Sequence, residues 1–472
     1  MDLARSSIKL FIANIFGAGL QFLGITFFAR ELGASQMGVF FLFQALLGIV
    51  AIPADFGLRG AVEKRISEGI QPGEYLSSAI ILKLIPISLI ILSIVVFEQR
   101  INGYLGGDFA VYLALAIILQ ETAQLAVSVL KGELRVGETA ELNIIRRITW
   151  VGGGFLLVSS GLDAEALIYS LLAGMVVTLA WGLSKISTSL KKPSFKNARS
   201  LFNYSKYSVV SSIGGYFYSW MDVAIIGIFL TQSHVGAYET AWRVTAITML
   251  FSQAVASTIF PQVSQWSSKN EQQQIESVIS NSITPSMLLV IPAFFGILVF
   301  SDEIMGIVFG SEFTIASYVL IILAGEKILQ SVHVIIGRSL QALNQPGLAA
   351  RATVISVVLN LILNVILILS FGIVGAAVAT ALSFAVNTVL HAHYLSSFVS
   401  IKFQYSQIGW CTVSSLIMAG VLFGFKTLVG VNSLIQLFIG IFFGMLVYTT
   451  ITLLYQPIRE TAFKNLIRLV PI

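Results

Sequence analysis

Runs of about 20 apolar residues recur along the whole chain, separated by short stretches holding Gly, Pro or charged residues. That is the length a helix needs to cross the ~30 Å hydrocarbon core of a bilayer. The pattern predicts about fourteen spans, near 9–29, 38–57, 76–97, 110–130, 144–160, 166–184, 207–230, 236–260, 281–301, 314–335, 352–370, 374–395, 408–426 and 433–454. The fifth is the weakest, with Arg146 and Arg147 at its mouth and a Gly152-Gly153-Gly154 run inside it. The expected fold is an all-α integral membrane protein.

Composition agrees. Of 472 residues, 56% are hydrophobic and 11% charged, against roughly 25% charged in a soluble domain. Sorting Lys and Arg by loop tests the span count, because cytoplasmic loops collect basic residues. With the N-terminus inside, the outer loops hold Arg30, Arg100 and Lys426, and the spans hold Lys83, Arg243 and Lys327; all the rest fall on the cytoplasmic side. A missed span would scramble this bias, so it predicts an even number of helices with both termini cytoplasmic. The pI near 9.1 is then a topology signal, favouring anionic lipid headgroups at the basic loops and no nucleic acid. The single cysteine, Cys411, leaves no intrachain disulfide or cysteine metal cluster. The first apolar segment is too long for a signal-peptide core and reads as a retained first helix.

The chain also matches itself. "LGASQMGVF" (Leu32 to Phe40) aligns without gaps on "LTQSHVGAY" (Leu230 to Tyr238), pairing Gly38 with Gly236 at an offset of 198 residues. Glu121 pairs with Glu326 at 205, and Gly161 with Gly372 at 211. A slowly growing offset in collinear order is what insertions between duplicated helices produce. The organisation expected is therefore an N-lobe over 1–184 (spans one to six), a basic interlobe linker over 185–206, a C-lobe over 207–396 (spans seven to twelve), and spans thirteen and fourteen with a tail over 397–472. Both six-helix lobes enter the membrane in the same direction, so the expected pseudo-symmetry axis runs along the membrane normal.

An ionised side chain at the bilayer centre costs roughly 2.5–3.5 kcal/mol on insertion scales, so those present should face a cavity or each other. At ~1.5 Å rise per residue, Asp222 and Arg243 reach similar depths on consecutive spans, with Glu239 one turn above Arg243. The matching first-half positions are Gly24 and Ala45, so Arg243 is not demanded by the architecture of both lobes. It is either a substrate contact or half of an ion pair that locks two helices. Lys83 and Glu121 share a depth in the cytoplasmic half and could pair; Glu326 and Lys327 are adjacent, about 100° apart around their helix. These charges serve either ion coupling or helix pairing, and the two lysines either pair or snorkel toward the cytoplasm. His391 and His393 cannot share a helix face, which argues against a metal site. Pro53, Pro86, Pro285 and Pro292 interrupt spans and allow kinks, and Asn360 with Asn364 forms a polar stripe suited to joining helices.

The topology, with "LGASQMGVFFLFQALLGIVAIPADFGLRGAVEKR" in the first half and "GAYETAWRVTAITMLFSQAVASTIFPQVSQ" in the second, resembles polysaccharide-biosynthesis flippases of the multidrug, oligosaccharidyl-lipid and polysaccharide exporter superfamily. The Leu-Gly-x-x-x-x-Gly-x-Phe turn, the Asp55-Phe56-Gly57-Leu58 element and the Phe260-Pro261-x-x-Ser264 ending carry the resemblance, which covers essentially the whole chain. It implies movement of a polyprenyl- or dolichyl-phosphate-linked oligosaccharide from the inner to the outer leaflet by alternating access of two lobes. In the related murein-precursor flippases a Tyr-x-x-x-x-Arg segment opens the eighth span with its arginine near the lipid pyrophosphate; Tyr238 and Arg243 match it. The first-span arginines of those flippases have no match here, which argues against a murein-type substrate.

The substrate site expected is thus Arg243, Asp222, Glu239 and Tyr238, and the coupling or helix-pairing charges are Lys83, Glu121, Glu326, Lys327 and Asp55. A cation-coupled multidrug antiporter is the alternative and would favour first-lobe acids, where Asp55 and Glu121 are the candidates. A membrane glycan polymerase or glycosyltransferase is the enzymatic alternative, but it would need long catalytic loops that the short outer loops do not offer. No Gly-Lys-Ser/Thr phosphate loop occurs. The expectation is a plasma-membrane monomer, not an enzyme, with no cofactor or metal, with H+ or Na+ as possible coupling ions.

Overall fold

The computed structural model describes residues 3–460, with side chains described for 15–206 and 220–460. The tail beyond 460 lies outside the described residues. Helices make up the chain, and no strand occurs among the described residues. In order they are α1 (Leu3–Asp55), α2 (Leu58–Ser67), α3 (Pro72–Val96), α4 (Glu98–Leu105), α5 (Ala110–Gly132), α6 (Val136–Ser159), α7 (Ala164–Lys185) and α8 (Phe195–Phe229). They continue as α9 (Gln232–Thr248), α10 (Leu250–Ser268), α11 (Gln272–Met287), α12 (Val290–Glu303), α13 (Ser317–Ala342), α14 (Pro346–Ser396), α15 (Tyr405–Val429) and α16 (Leu434–Leu453).

Among the described residues nine helices are long and apolar enough to cross a membrane, or ten if α9 and α10, bent by 52°, form one span. Two of the nine break at an interior glycine. α1 breaks at Gly33 (φ 75°, ψ 175°) and α14 at Gly372 (φ 58°, ψ −140°), conformations that a Cβ would strain. At 51 residues α14 would be ~76 Å long if straight, far beyond a bilayer. Instead it doubles back at Gly372, where Asn360 Nδ2 donates to Ser383 Oγ (3.1 Å) and Asn364 Nδ2 to Asn360 Oδ1 (3.0 Å). α6 differs from expectation: it starts at Val136 rather than near 144, because Gly137 to Asn143 continues the helix instead of forming a loop.

The chain divides into two compact units, Met1–Glu239 and Thr240–Ile472. In the first, α1, α3, α5, α6, α7 and α8 pack together, with the short α2 against α3, α5 and α8. The segment after α7 is stitched to this unit: Glu133 accepts from the Ser187 and Thr188 amides, and the Ser194 amide donates to Ser78 Oγ (3.2 Å). In the second unit the segment after α14 makes the equivalent return, the Lys402 amide donating to Ser280 Oγ (3.1 Å) on α11. Left-handed residues recur in the same order in the two halves: Gln71 and Asn270, Leu134 and Asn344, Gly161 and Gly372. Their separations of 199, 210 and 211 residues follow the offsets of the sequence matches.

In the second unit the prolines break the element that follows α10 into α11 and α12. Pro292 has no N–H to give the Leu288 carbonyl four residues before it; the Tyr448 hydroxyl of α16 donates to that carbonyl instead, at 2.8 Å. The Ser286 carbonyl at the same break takes a bond from Ser252 of α10 at 2.6 Å. α15 is pinned to α12 by Lys426, 2.8 Å from Glu303.

Within the first unit the matched glycines meet. A Cβ on Gly38 would run into the Gln232 carbonyl, and one on Gly236 into that of Ala34; 34 and 38 relate to 232 and 236 by the same offset of 198. Here the start of α9 crosses α1 backbone to backbone. Gly→Ala normally stabilises a helix interior by about 1 kcal/mol, but at these positions the methyl meets main chain that cannot move aside. Gly38→Ala and Gly236→Ala should each destabilise the protein by roughly 1–3 kcal/mol, seen as a lowered midpoint in thermal unfolding of the detergent-solubilised protein; a raised midpoint would refute the crossing.

Candidate functional site

Four charged side chains converge inside the first unit. Lys83 of α3 and Glu121 of α5 are buried, 4% and 0% exposed. Lys83 Nζ lies 2.5 Å from Glu121 Oε2 and 2.8 Å from Asp55 Oδ1 at the end of α1, while Arg59 of α2 bonds the other oxygen of Glu121 and reaches Asp55 Oδ1 at 3.4 Å. Two cations face two carboxylates, so the cluster is neutral as a whole and ties α1, α2, α3 and α5 together. Lys83 does not snorkel, because two carboxylates reach its ammonium within the unit. Arg59, expected in a loop, completes the cluster from the first turn of α2.

Elsewhere in this unit, Asp222 of α8 and Tyr238 of α9 come together: the Tyr238 hydroxyl donates to Asp222 Oδ2 at 2.7 Å, both residues buried. Glu239 is buried beside them in sequence, and Arg243, half-buried, stands four residues along α9 on the same helix face. Arg243 belongs to the second unit. There, Glu326 and Lys327 pair with each other at 2.8 Å in spite of their angular separation, and the Lys327 ammonium lies 5.4 Å over the Trp242 ring. Lys327 is 3% exposed and does not snorkel either. His391 stacks edge-on against His333 (4.5 Å between ring centres) and not with His393, and no group of three or more metal-ligating side chains occurs among the described residues.

The sequence pattern placed Arg146 and Arg147 at the mouth of the fifth span, two and three residues from its start near 144. With α6 starting at Val136, they lie ten and eleven residues into a helix, about 15 Å along it. The flanking "GETAELN" misled, since a Gly and two acids read as loop. The second unit also holds an apolar cavity of about 540 Å³, lined by Leu289, Pro292, Ile297, Met418, Met445 and Tyr448 among others, between α12, α15 and α16.

Long apolar helices enclosing charged clusters and an apolar cavity define a multi-pass membrane protein of the transporter class. Residues 27–318 match the family model described as polysaccharide biosynthesis protein, and the chain belongs to that family. It is 29% identical over 433 residues to "Probable flippase AglR" of Haloferax volcanii, covering 89% of each chain. It is 23% identical over 429 residues to "Lipid II flippase MurJ" of Bacillus subtilis, covering 78% of this chain and 77% of that one. Among solved structures, lipid II flippase MurJ in an inward closed conformation superposes with a TM-score of 0.80 at 18% identity over 95% of this chain and 98% of that one. A multidrug resistance MATE transporter follows at 0.62 and 15% identity, over 83% of this chain and 98% of that one. The fold is thus MurJ-like.

Removing one partner of a buried ion pair strands the other charge, typically at about 3–5 kcal/mol, whereas removing both together costs far less. Glu121→Gln should therefore destabilise strongly, and Lys83→Met combined with Glu121→Gln should recover part of the loss. A thermal-unfolding double-mutant cycle measures this; strictly additive losses would show that the two groups do not interact.

Proposed function

We propose that the protein is a flippase that moves a polyprenyl- or dolichyl-phosphate-linked oligosaccharide from the inner to the outer leaflet of the plasma membrane, for assembly of a surface polysaccharide or glycoprotein. The reading is carried by a likeness to AglR that runs over 89% of both chains. Nothing in the reading requires an enzyme or a cofactor. We further propose about fourteen spans with both ends cytoplasmic, the α1 and α14 doublets each supplying two, and alternating access of two lobes divided at 185–206 followed by the appended α15 and α16.

The chemistry fits this substrate. A lipid-linked glycan has an anionic phosphate, a polar head and a hydrocarbon tail. Arg243 would hold the phosphate, since a guanidinium stays charged and offers a planar fork of donors to phosphate oxygens. Asp222, held by Tyr238, and Glu239 would present acceptors to sugar hydroxyls and orient Arg243. The apolar cavity beside α16 suits the tail. The Asp55, Arg59, Lys83 and Glu121 cluster is already neutralised internally, which favours helix pairing over ion coupling, and the same holds for Glu326 with Lys327. Anionic lipids would meet the basic loops, and the working unit would be a monomer.

Cells without the gene should accumulate the complete lipid-linked glycan on the inner leaflet, as judged by its protection from an impermeant reagent. The wild-type gene should restore exposure and Arg243→Ala should not, at equal membrane abundance. An unchanged glycan leaflet in the deletion strain would sink the flippase reading, and full rescue by Arg243→Ala would sink the role of that residue.

A further inference from the structure

The arginine pair in α6 has an environment unlike that of any other charge cluster described above. Neither the Arg146 nor the Arg147 guanidinium makes an ion pair or hydrogen bond among the described residues, and the charged groups near Arg146 are Arg147 and Arg59, all of one sign. Arg59 is already occupied by Asp55 and Glu121. Both arginines are half-buried, deep among the helices yet not closed over.

The neighbouring helices are shaped around them. A Cβ on Gly17 of α1 would run into the Arg147 guanidinium, and one on Gly174 of α7 would come within 3.0 Å of the Arg146 carbonyl and 3.3 Å of its Cγ. Glycines on both sides thus leave room for side chains whose charges no carboxylate balances among the described residues. Two neighbouring cations with no carboxylate bonded to them among the described residues repel each other; a bound anion is the group that makes the arrangement favourable, and a guanidinium fork matches the oxygens of a phosphate or pyrophosphate.

We propose that Arg146 and Arg147 form an anion-binding site of the first unit that takes the phosphate or pyrophosphate of the lipid-linked substrate. The proposal rests on the flippase reading for the identity of the ligand and on the unbalanced pair for the site itself. It gives the substrate phosphate a receiving site in the first unit, separate from Arg243 in the second.

The test uses the purified full-length protein in detergent, with thermal midpoint as readout against graded inorganic pyrophosphate and, in parallel, a short-chain prenyl pyrophosphate. The wild type should be stabilised by both, more tightly by the prenyl compound. Arg146→Gln and Arg147→Gln should each weaken the apparent affinity by about tenfold or more, the scale of one lost charged hydrogen bond, while Glu271→Gln, on the loop before α11, should leave it unchanged. Arg146→Lys keeps the charge without the fork and should fall between, which preserves the test if a Gln variant does not fold. Equal affinity in the wild type and both Gln variants would overturn the site, and tighter binding of inorganic than of prenyl pyrophosphate would reassign it to a free anion. The leaflet assay run on the same variants separates the two readings. Anion binding that depends on the pair in a protein that moves no glycan would retain the site and reject the flippase, whereas glycan movement with no dependence on the pair in either assay would reject the site alone.

Discussion

A bilayer interior offers no partner to a polar group, so each one carried on these helices must be satisfied within the protein. Much of the architecture follows from that constraint. Pro292 withholds the donor that the Leu288 carbonyl needs, and a hydroxyl from α16 supplies it. Ser252 does the same for Ser286 one helix away. The break between α11 and α12 is thus held by side chains from two other helices, α10 and α16. α16 serves the break as well as lining the cavity beside it: Tyr448 is part of both.

The same constraint sorts the charges into kinds. Asp55, Arg59, Lys83 and Glu121 neutralise one another and need nothing from outside. Asp222 has Tyr238. Arg146 and Arg147 have no such arrangement among the described residues, and a transporter is the kind of protein in which an unbalanced site is useful, because a site satisfied by the protein alone has no affinity left for a ligand. Stability and function therefore make opposite demands on buried arginines, and the α6 pair sits on the functional side of that division.

Much of this could be read from residue order. Apolar runs located the helices, and Gly372, matched to Gly161 in sequence, proved to mark a left-handed backbone at the same place in each half. The depth argument put Lys83 near Glu121, since rise per residue is nearly invariant in a helix. What failed was local. The stretch from Val136 to Asn143 is polar and reads as loop, but its Glu138 and Glu141 meet Lys185 at the end of α7, a partner some 45 residues away that a hydropathy window cannot see. Arg59 escaped for a related reason: its partner Glu121 comes from another helix, and only the packing of α2 against α5 brings them together.

The two halves share a frame and differ in what fills it. Glu121 and its match Glu326 show how. In the first unit Glu121 reaches across to Lys83 and Arg59, binding three helices; in the second, Glu326 pairs with its own neighbour, Lys327. Ser78 and Ser280 accept the equivalent amides of the two return segments, and counting on from them sets Lys83 against Pro285. Where one half has a cation that cross-links helices, the other has a proline that removes a backbone bond. An ion cluster resists separation of the helices it joins, while a span lacking its i to i+4 bonds bends at low cost. At this level the first half is therefore cross-linked by an ion cluster where the second carries Pro285, and the hydroxyl of Tyr448 holds the carbonyl that Pro292, seven residues further on, leaves free.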